Sequence, residues 1–118
     1  MSARILVVED EYFIAQDVAE ALAGAGFGVL GPCATVAAAL ALLAGEESCA
    51  AAVLDANLRG ESSLPVCAAL AARGIPFIIV TGFTAGQLPA AMAAGPVLAK
   101  PLDPARLVGM LKGLIAGP

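Results

Sequence analysis

Four places in the sequence put oxygen and nitrogen functions where reactive chemistry needs them. Glu9, Asp10 and Glu11 follow directly on the apolar run Ile5-Leu6-Val7-Val8, and Asp55, Thr81 and Lys100 each close a later apolar run. Carboxylates drawn together repel and raise one another's pKa unless a positive charge sits among them. A hard divalent cation is the natural occupant, because the donors are oxygens and the chain has no His. Mg²⁺ fits best, since it takes one or two carboxylates and keeps several waters. With Lys100 as a fixed cation and Thr81 as a hydroxyl donor, the set suits phosphoryl chemistry. Metal and lysine neutralise the equatorial oxygens, Thr81 binds one of them and a carboxylate attacks. Gly82, beside Thr81, leaves the approach to the phosphoryl group open.

Taken singly, each of these residues has an ordinary explanation. An acidic pair or a lone Asp after a strand is commonly a turn or helix cap, and Lys100 before Pro101 reads as a solvated loop residue. The joint placement points to function, for only 10 acidic residues occur in the whole chain. Arg4, Arg73, Arg106 and Lys112 read as ordinary surface charges.

The elements that must position these groups are short apolar runs alternating with longer Ala/Leu-rich stretches. The runs Ile5–Val8, Phe27–Leu30, Ala50–Leu54, Phe77–Val80 and Val97–Ala99 suit strands buried on both faces, as in a parallel sheet. Helices are expected over Phe13–Ala25, Val36–Ala44, Leu64–Arg73, Ala85–Ala94 and Pro104–Ile115. Thr35 is the expected N-cap of the second, Asp103-Pro104 the start of the fifth, and Gly45 and Gly74 are stops. The pattern is α/β, a (βα)₅ flavodoxin-like doubly wound parallel sheet with strand order 2-1-3-4-5. In such sheets ligands bind at the carboxyl ends of the strands. The first, third and fourth strands are neighbours in that order, so Glu9, Asp10, Asp55 and Thr81 converge. Strand 2 ends in Gly31-Pro32 and brings no chemistry.

Composition excludes several classes. A length of 118 residues suits one domain, with no internal boundary, linker or repeat. The 60% hydrophobic and 14% charged content is that of a folding chain. A net charge of −4 argues against direct nucleic-acid binding. Mean hydropathy is high at +0.92, but the uncharged stretches Ala21–Gly45 and Gly74–Ala99 are broken repeatedly by Gly and Pro, so membrane insertion is not expected. The N-terminus is no signal peptide. Cys33, Cys49 and Cys67, odd in number and widely spaced, read as reduced thiols of a cytoplasmic protein. Neither a P-loop nor a dinucleotide fingerprint follows the first strand.

These residues together resemble a bacterial response-regulator receiver domain. Ile5-Leu6-Val7-Val8-Glu9-Asp10-Glu11 is similar to that family's first strand and acidic pair, Val53-Leu54-Asp55 to its phosphoacceptor strand, Val80-Thr81-Gly82 to its switch threonine, and Lys100-Pro101 to its lysine with a cis-forming proline. The resemblance covers residues 3 to 115 and implies a phosphoacceptor in a two-component system or phosphorelay. Asp55 would accept a phosphoryl group from a histidine kinase or phosphotransfer protein. Asp10, Asp55 and the backbone carbonyl of Asn57 would bind Mg²⁺, with Glu9 acting mainly through water. Thr81 and Lys100 would contact the phosphoryl oxygens and change binding of a downstream protein partner. The activity would be limited to the protein's own phosphorylation and dephosphorylation, and the chain would be one receiver, residues 1 to 118, with no output domain, as a monomer or weak homodimer.

Two departures stand out. The Met-Pro usual after the phosphoacceptor is absent, the segment being Asp55-Ala56-Asn57-Leu58-Arg59-Gly60-Glu61. The aromatic expected three positions before the lysine is Val97, which leaves Phe83 as a candidate for part of its role. The Asp55–Glu61 and Pro76–Phe83 segments resemble those of stand-alone receivers common in alphaproteobacteria, which often pair with kinases of the HWE type. The alternatives are a degenerate receiver acting only as a protein-protein interaction module, a flavodoxin-like cofactor binder, and a haloacid-dehalogenase-type phosphatase. The cofactor binder would need a hydroxyl- or Gly-rich loop where this chain has acids. The phosphatase would need its nucleophile on strand 1.

Overall fold

Alternation of side chains across each strand decides how this sheet is covered. In β1 (Arg4–Val8), Leu6 and Val8 enter one apolar core while Ile5 and Val7 enter the other, and all four are at most 1% exposed. A strand buried on both faces is what a parallel α/β sheet requires. The computed structural model describes residues 3–45, 48–82, 88–93 and 95–116.

The chain then runs through α1 (Tyr12–Gly24), β2 (Gly28–Cys33), α2 (Val36–Gly45), β3 (Ala51–Asp55), β4 (Asn57–Leu58), β5 (Glu61–Ser62), α3 (Leu64–Ala72), β6 (Phe77–Thr81), α4 (Ala90–Ala93), β7 (Val97–Ala99) and α5 (Pro104–Ala116). The main sheet has order β2-β1-β3-β6-β7. Every pairing in it is parallel. With the two-stranded β4–β5 ribbon set aside, this is the expected 2-1-3-4-5 order of a flavodoxin-like doubly wound fold. Helices α1 and α5 supply Val18, Leu22, Leu107 and Leu111 to one core. Helices α2, α3 and α4 supply Val36, Leu43, Leu70 and Met92 to the other. Each fully buried aliphatic side chain stabilises by about 1.5–3 kcal/mol.

The helix signals act as expected at several ends. Thr35 Oγ1 accepts from Ala38 N at 3.1 Å, and Asp103 Oδ1 accepts from Ala105 N at 3.0 Å. Gly74, with φ +67°, follows the last turn of α3. Helix α1 starts one residue earlier than Phe13, because Glu11 Oε2 caps it by accepting from Ile14 N at 2.7 Å. Helix α2 takes in Gly45 instead of stopping before it.

Other expectations need correction. Strand β2 runs on through Gly31-Pro32 to Cys33, with the Gly31–Pro32 peptide cis and a register shift opposite Leu6–Val8. Gly31 has φ +95°, and a Cβ there would lie 2.7 Å from Cys33 N and 3.0 Å from Val7 O, so only glycine fits. Strand β3 includes Asp55 itself, paired in register with Val80. The β4–β5 ribbon was not expected; its two-residue loop, Arg59 (φ 55°) and Gly60 (φ 88°), has the positive φ values of a tight hairpin turn. Of the expected Ala85–Ala94 helix, Ala90–Ala93 is helical, and residues 85–87 and 94 lie outside the described residues. Arg73 is more than a surface charge: its Nη1 donates to Leu43 O at 2.8 Å and ties the end of α3 to α2.

Candidate functional site

The carboxyl end of β1 is held in place by its backbone. Glu9 N donates to Cys33 O at 2.9 Å, so the acidic pair leaves the sheet still paired to β2. Beside it, β3 delivers Asp55 at its last residue, and one oxygen each of Glu9, Asp10 and Asp55 lies within 4.8 Å of the others. Glu9 and Asp55 are only 6% and 7% exposed. Three carboxylates so placed are costly without compensation.

Compensation comes first from Lys100, just past β7. Its Nζ stands 2.7 Å from Asp55 Oδ2 and 3.2 Å from Glu9 Oε1. Its backbone N donates to Thr81 O at 2.9 Å, which joins the lysine to the end of β6. The Lys100–Pro101 peptide is cis, as the resemblance implied. Backbone donors complete the frame: Asn57 N donates to Asp55 Oδ1 at 3.0 Å and Glu11 N to Glu9 Oε2 at 3.0 Å. The balance is incomplete at Glu9, whose carboxyl is pushed up to about 7. Burial is the main cause, the Glu11 N–H works against it, and the Asp55 charge adds to it. For Lys100 burial alone would lower the pKa, but the hydrogen bond and charge of Asp55, with Glu9, outweigh it and hold it above 10.5.

All the expected site residues therefore lie at one edge of the sheet, with different surroundings. Thr81 is 1% exposed at the end of β6, and among the described residues a Cβ on Gly82 would meet nothing within 4 Å. Asn57 is exposed, and its side chain is engaged in the ribbon, with Oδ1 accepting from Gly60 N at 2.6 Å. Val97 is half-buried in β7 opposite Ile79, and Phe83 lies outside the described residues. Cys33, Cys49 and Cys67 are thiols outside any disulfide, and Cys49 Sγ donates to Ala51 O at 3.3 Å.

Arg59 was missed. Its Nε lies 3.6 Å from Asp10 Oδ2, and it borders a cavity of about 430 Å³ lined also by Glu9, Tyr12, Gln16 and Pro32. An Arg-Gly pair four residues past Asp55 was the available signal, because Gly there marks a turn that can fold back over the site. The donor chemistry fits a hard cation: carboxylate oxygens, with no nitrogen or sulfur ligand among the grouped residues.

A parallel (βα)₅ sheet with clustered acids, a lysine and a threonine at its carboxyl edge defines a phosphoacceptor-type receiver. The sequence model of the response regulator receiver domain matches residues 5–112, and the chain belongs to that family, whose members act in two-component signalling. It is similar to the solution structure of SdrG from Sphingomonas melonis Fr1, with 39% identity, TM-score 0.82 and 97% of each chain covered. The response regulator PhyR from Brucella abortus is 30% identical with TM-score 0.74; 98% of this chain aligns with 47% of that one. A receiver protein from Sinorhizobium medicae WSM419, at 21% identity and TM-score 0.85, shares the fold. No curated protein matches the chain. Among the described residues no helix is long and apolar enough to cross a membrane.

Proposed function

We propose that Asp55 is the phosphoacceptor of a signalling switch, charged by the phosphohistidine of a histidine kinase or phosphotransfer protein. The observation that carries this reading is the setting of the Asp55 carboxylate. One oxygen is held by Lys100 Nζ at 2.7 Å and the other by Asn57 N at 3.0 Å, beside two further carboxylates. A similar SdrG structure is of a BeF3-activated conformation, which agrees with a phosphoryl-responsive site here.

In the transfer, an Asp55 oxygen attacks phosphorus as the phosphorus–nitrogen bond breaks; the electron pair returns to the imidazole, which takes up a proton. Asp10, Asp55 and the Asn57 carbonyl would hold Mg²⁺, which supplies charge neutralisation to the phosphoryl oxygens. Glu9 would act on that cation mainly through water. Lys100 pairs with an oxygen of the new phosphoryl group, and the Thr81 hydroxyl donates to another. Because Lys100 N is bonded to Thr81 O, movement at either residue is passed between β6 and β7. The resulting change in population of the β6–α4–β7 surface is read by a downstream protein partner in the cytoplasm.

The test is intact-protein mass after incubation with acetyl phosphate and Mg²⁺. One phosphoryl adduct is expected, absent from Asp55→Asn and absent without Mg²⁺. An adduct that survives Asp55→Asn moves the acceptor elsewhere. No adduct from either acetyl phosphate or a phosphorylated kinase returns the chain to the interaction-module reading.

A further inference from the structure

Each of the clustered carboxylates has a cation near it, but not the same one. Lys100 reaches Glu9 and Asp55 from the β7 side, while Asp10 faces Arg59 across the mouth of the site, Nε to Oδ2 at 3.6 Å. The two cations are held very differently. The Lys100 side chain is 26% exposed and close to both partners, whereas that of Arg59 is 79% exposed and meets Asp10 through one long contact.

The backbone beneath Arg59 is far more constrained than its side chain. Asn57 pairs with Ser62 and Leu58 with Glu61, leaving Arg59 and Gly60 as the loop of the ribbon. Leu58 is 3% exposed and anchors the ribbon in the core, and Gly60 N is bonded to Asn57 Oδ1. Arg59 is the one non-glycine among the described residues with a positive φ. The turn thus keeps a long, flexible guanidinium stem at a fixed short reach from Asp10, in a conformation that a side chain adopts at a cost.

We propose that Arg59 is a tethered competitor for the divalent cation. Its guanidinium neutralises Asp10 while the metal is away, and Mg²⁺ must displace it to use that carboxylate. This rests on Asp10 being a metal ligand. Arg59 is a positioning residue acting through Asp10, and it sets how tightly the site takes Mg²⁺. A single exposed pair is weak, so displacement costs only a small factor in affinity. The tether returns the guanidinium whenever the metal leaves, so the acidic mouth is never left without a counter-charge.

The test is calorimetric titration of MgCl₂ into the full chain without any phosphodonor, comparing wild type with Arg59→Asn and Arg59→Lys. Asn tolerates the left-handed backbone and removes the charge; Lys keeps the charge. Arg59→Asn should bind Mg²⁺ about two- to five-fold more tightly at low ionic strength. Arg59→Lys should stay near wild type, and the Asn advantage should shrink toward one in about 0.5 M KCl as the pair is screened. A purely structural role for Arg59 predicts no such salt-dependent ratio. Arg59→Gly, which suits the turn still better, must give the same gain as Asn; this separates charge from turn damage. Equal or weaker Mg²⁺ binding by both neutral variants overturns the competitor and leaves the metal reading intact. Absence of Mg²⁺ binding in wild type and variants alike overturns both.

Discussion

Strand β1 and the residue that follows it are both buried but opposite in energetic character. From Ile5 to Val8 every side chain is at most 1% exposed and packed in apolar surroundings. One residue further, Glu9 is still only 6% exposed, yet its charge opposes burial and its carboxyl rises to about 7. Strand β3 repeats the contrast, with Ala51–Leu54 in the cores and Asp55 among carboxylates. Burial stabilises the middle of the sheet; at its carboxyl edge burial is a cost that Lys100, Arg59 and backbone N–H groups offset in part. The stable middle holds the unstable edge in position, so removing a buried side chain should destabilise in the middle and stabilise at the edge where the group removed is an undercompensated charge.

The largest effect should come from the middle. Leu54→Ala removes a fully buried side chain at the sheet centre and should lower unfolding free energy by about 2–5 kcal/mol in a urea titration. A loss near zero would mean that the apolar layer is not what holds Asp55. Next comes the compensating cation: Lys100→Met leaves Glu9 and Asp55 without their shared partner and should cost about 1–3 kcal/mol in EDTA. A more stable Lys100→Met protein would break the comparison, because the lysine would then be a burden.

Glu9→Gln should act with the opposite sign. The folded pKa of Glu9, about 7, lies above its ordinary 4.5, so the folded protein binds this proton more tightly than the unfolded chain. Wild-type stability in EDTA therefore falls as pH rises through 4.5 to 7, while the neutral variant is spared that loss. At pH 8 Glu9→Gln should melt higher, by about 3–6 °C for a gain near 1 kcal/mol. Below pH 4.5 the difference should vanish. A constant difference across that range would assign the effect to packing instead of charge.

The smallest effect concerns a buried group far from the acids. Burial pushes the Cys67 thiol up to about 11, against an ordinary 9.0, so it stays neutral in the folded protein well above neutrality. Half-buried Cys49 should react with iodoacetamide at pH 8 before Cys67, whose labelling should follow unfolding. Stability should dip slightly as pH climbs from 9 towards 11, where only the unfolded thiol ionises. Fast labelling of Cys67 in the folded protein would show that the α3 side of the core is looser than the sheet.

Much of this architecture is legible in local chemistry. Runs such as Ile5–Val8 and Phe77–Val80 are too apolar to lie anywhere but inside, and their regular alternation with helical stretches leaves few topologies. Glu9, Asp55, Thr81 and Lys100 are visible because each is the first polar residue at the end of such a run, and Asp10 because it follows Glu9 directly. Other features escape for definite reasons. Gly31-Pro32 is a strong turn signal, yet the strand runs on through it, so close to β1 that a Cβ on Gly31 would lie 3.0 Å from the Val7 carbonyl. Arg73 gives no sign of its bond to Leu43 O, since its acceptor is a backbone group 30 residues away.

Residue types and spacing thus decided the alternation of elements, the strand order and the identity of the clustered acids, because burial and period depend on neighbours along the chain. Tertiary structure alone decided how those charges are shared: Lys100 to Glu9 and Asp55, Arg59 to Asp10. Coulomb energy and desolvation depend on distances through space between segments up to 91 residues apart, Glu9 and Lys100 among them (100 − 9). Those distances are set only when the parallel strands and the short ribbon have folded against one another.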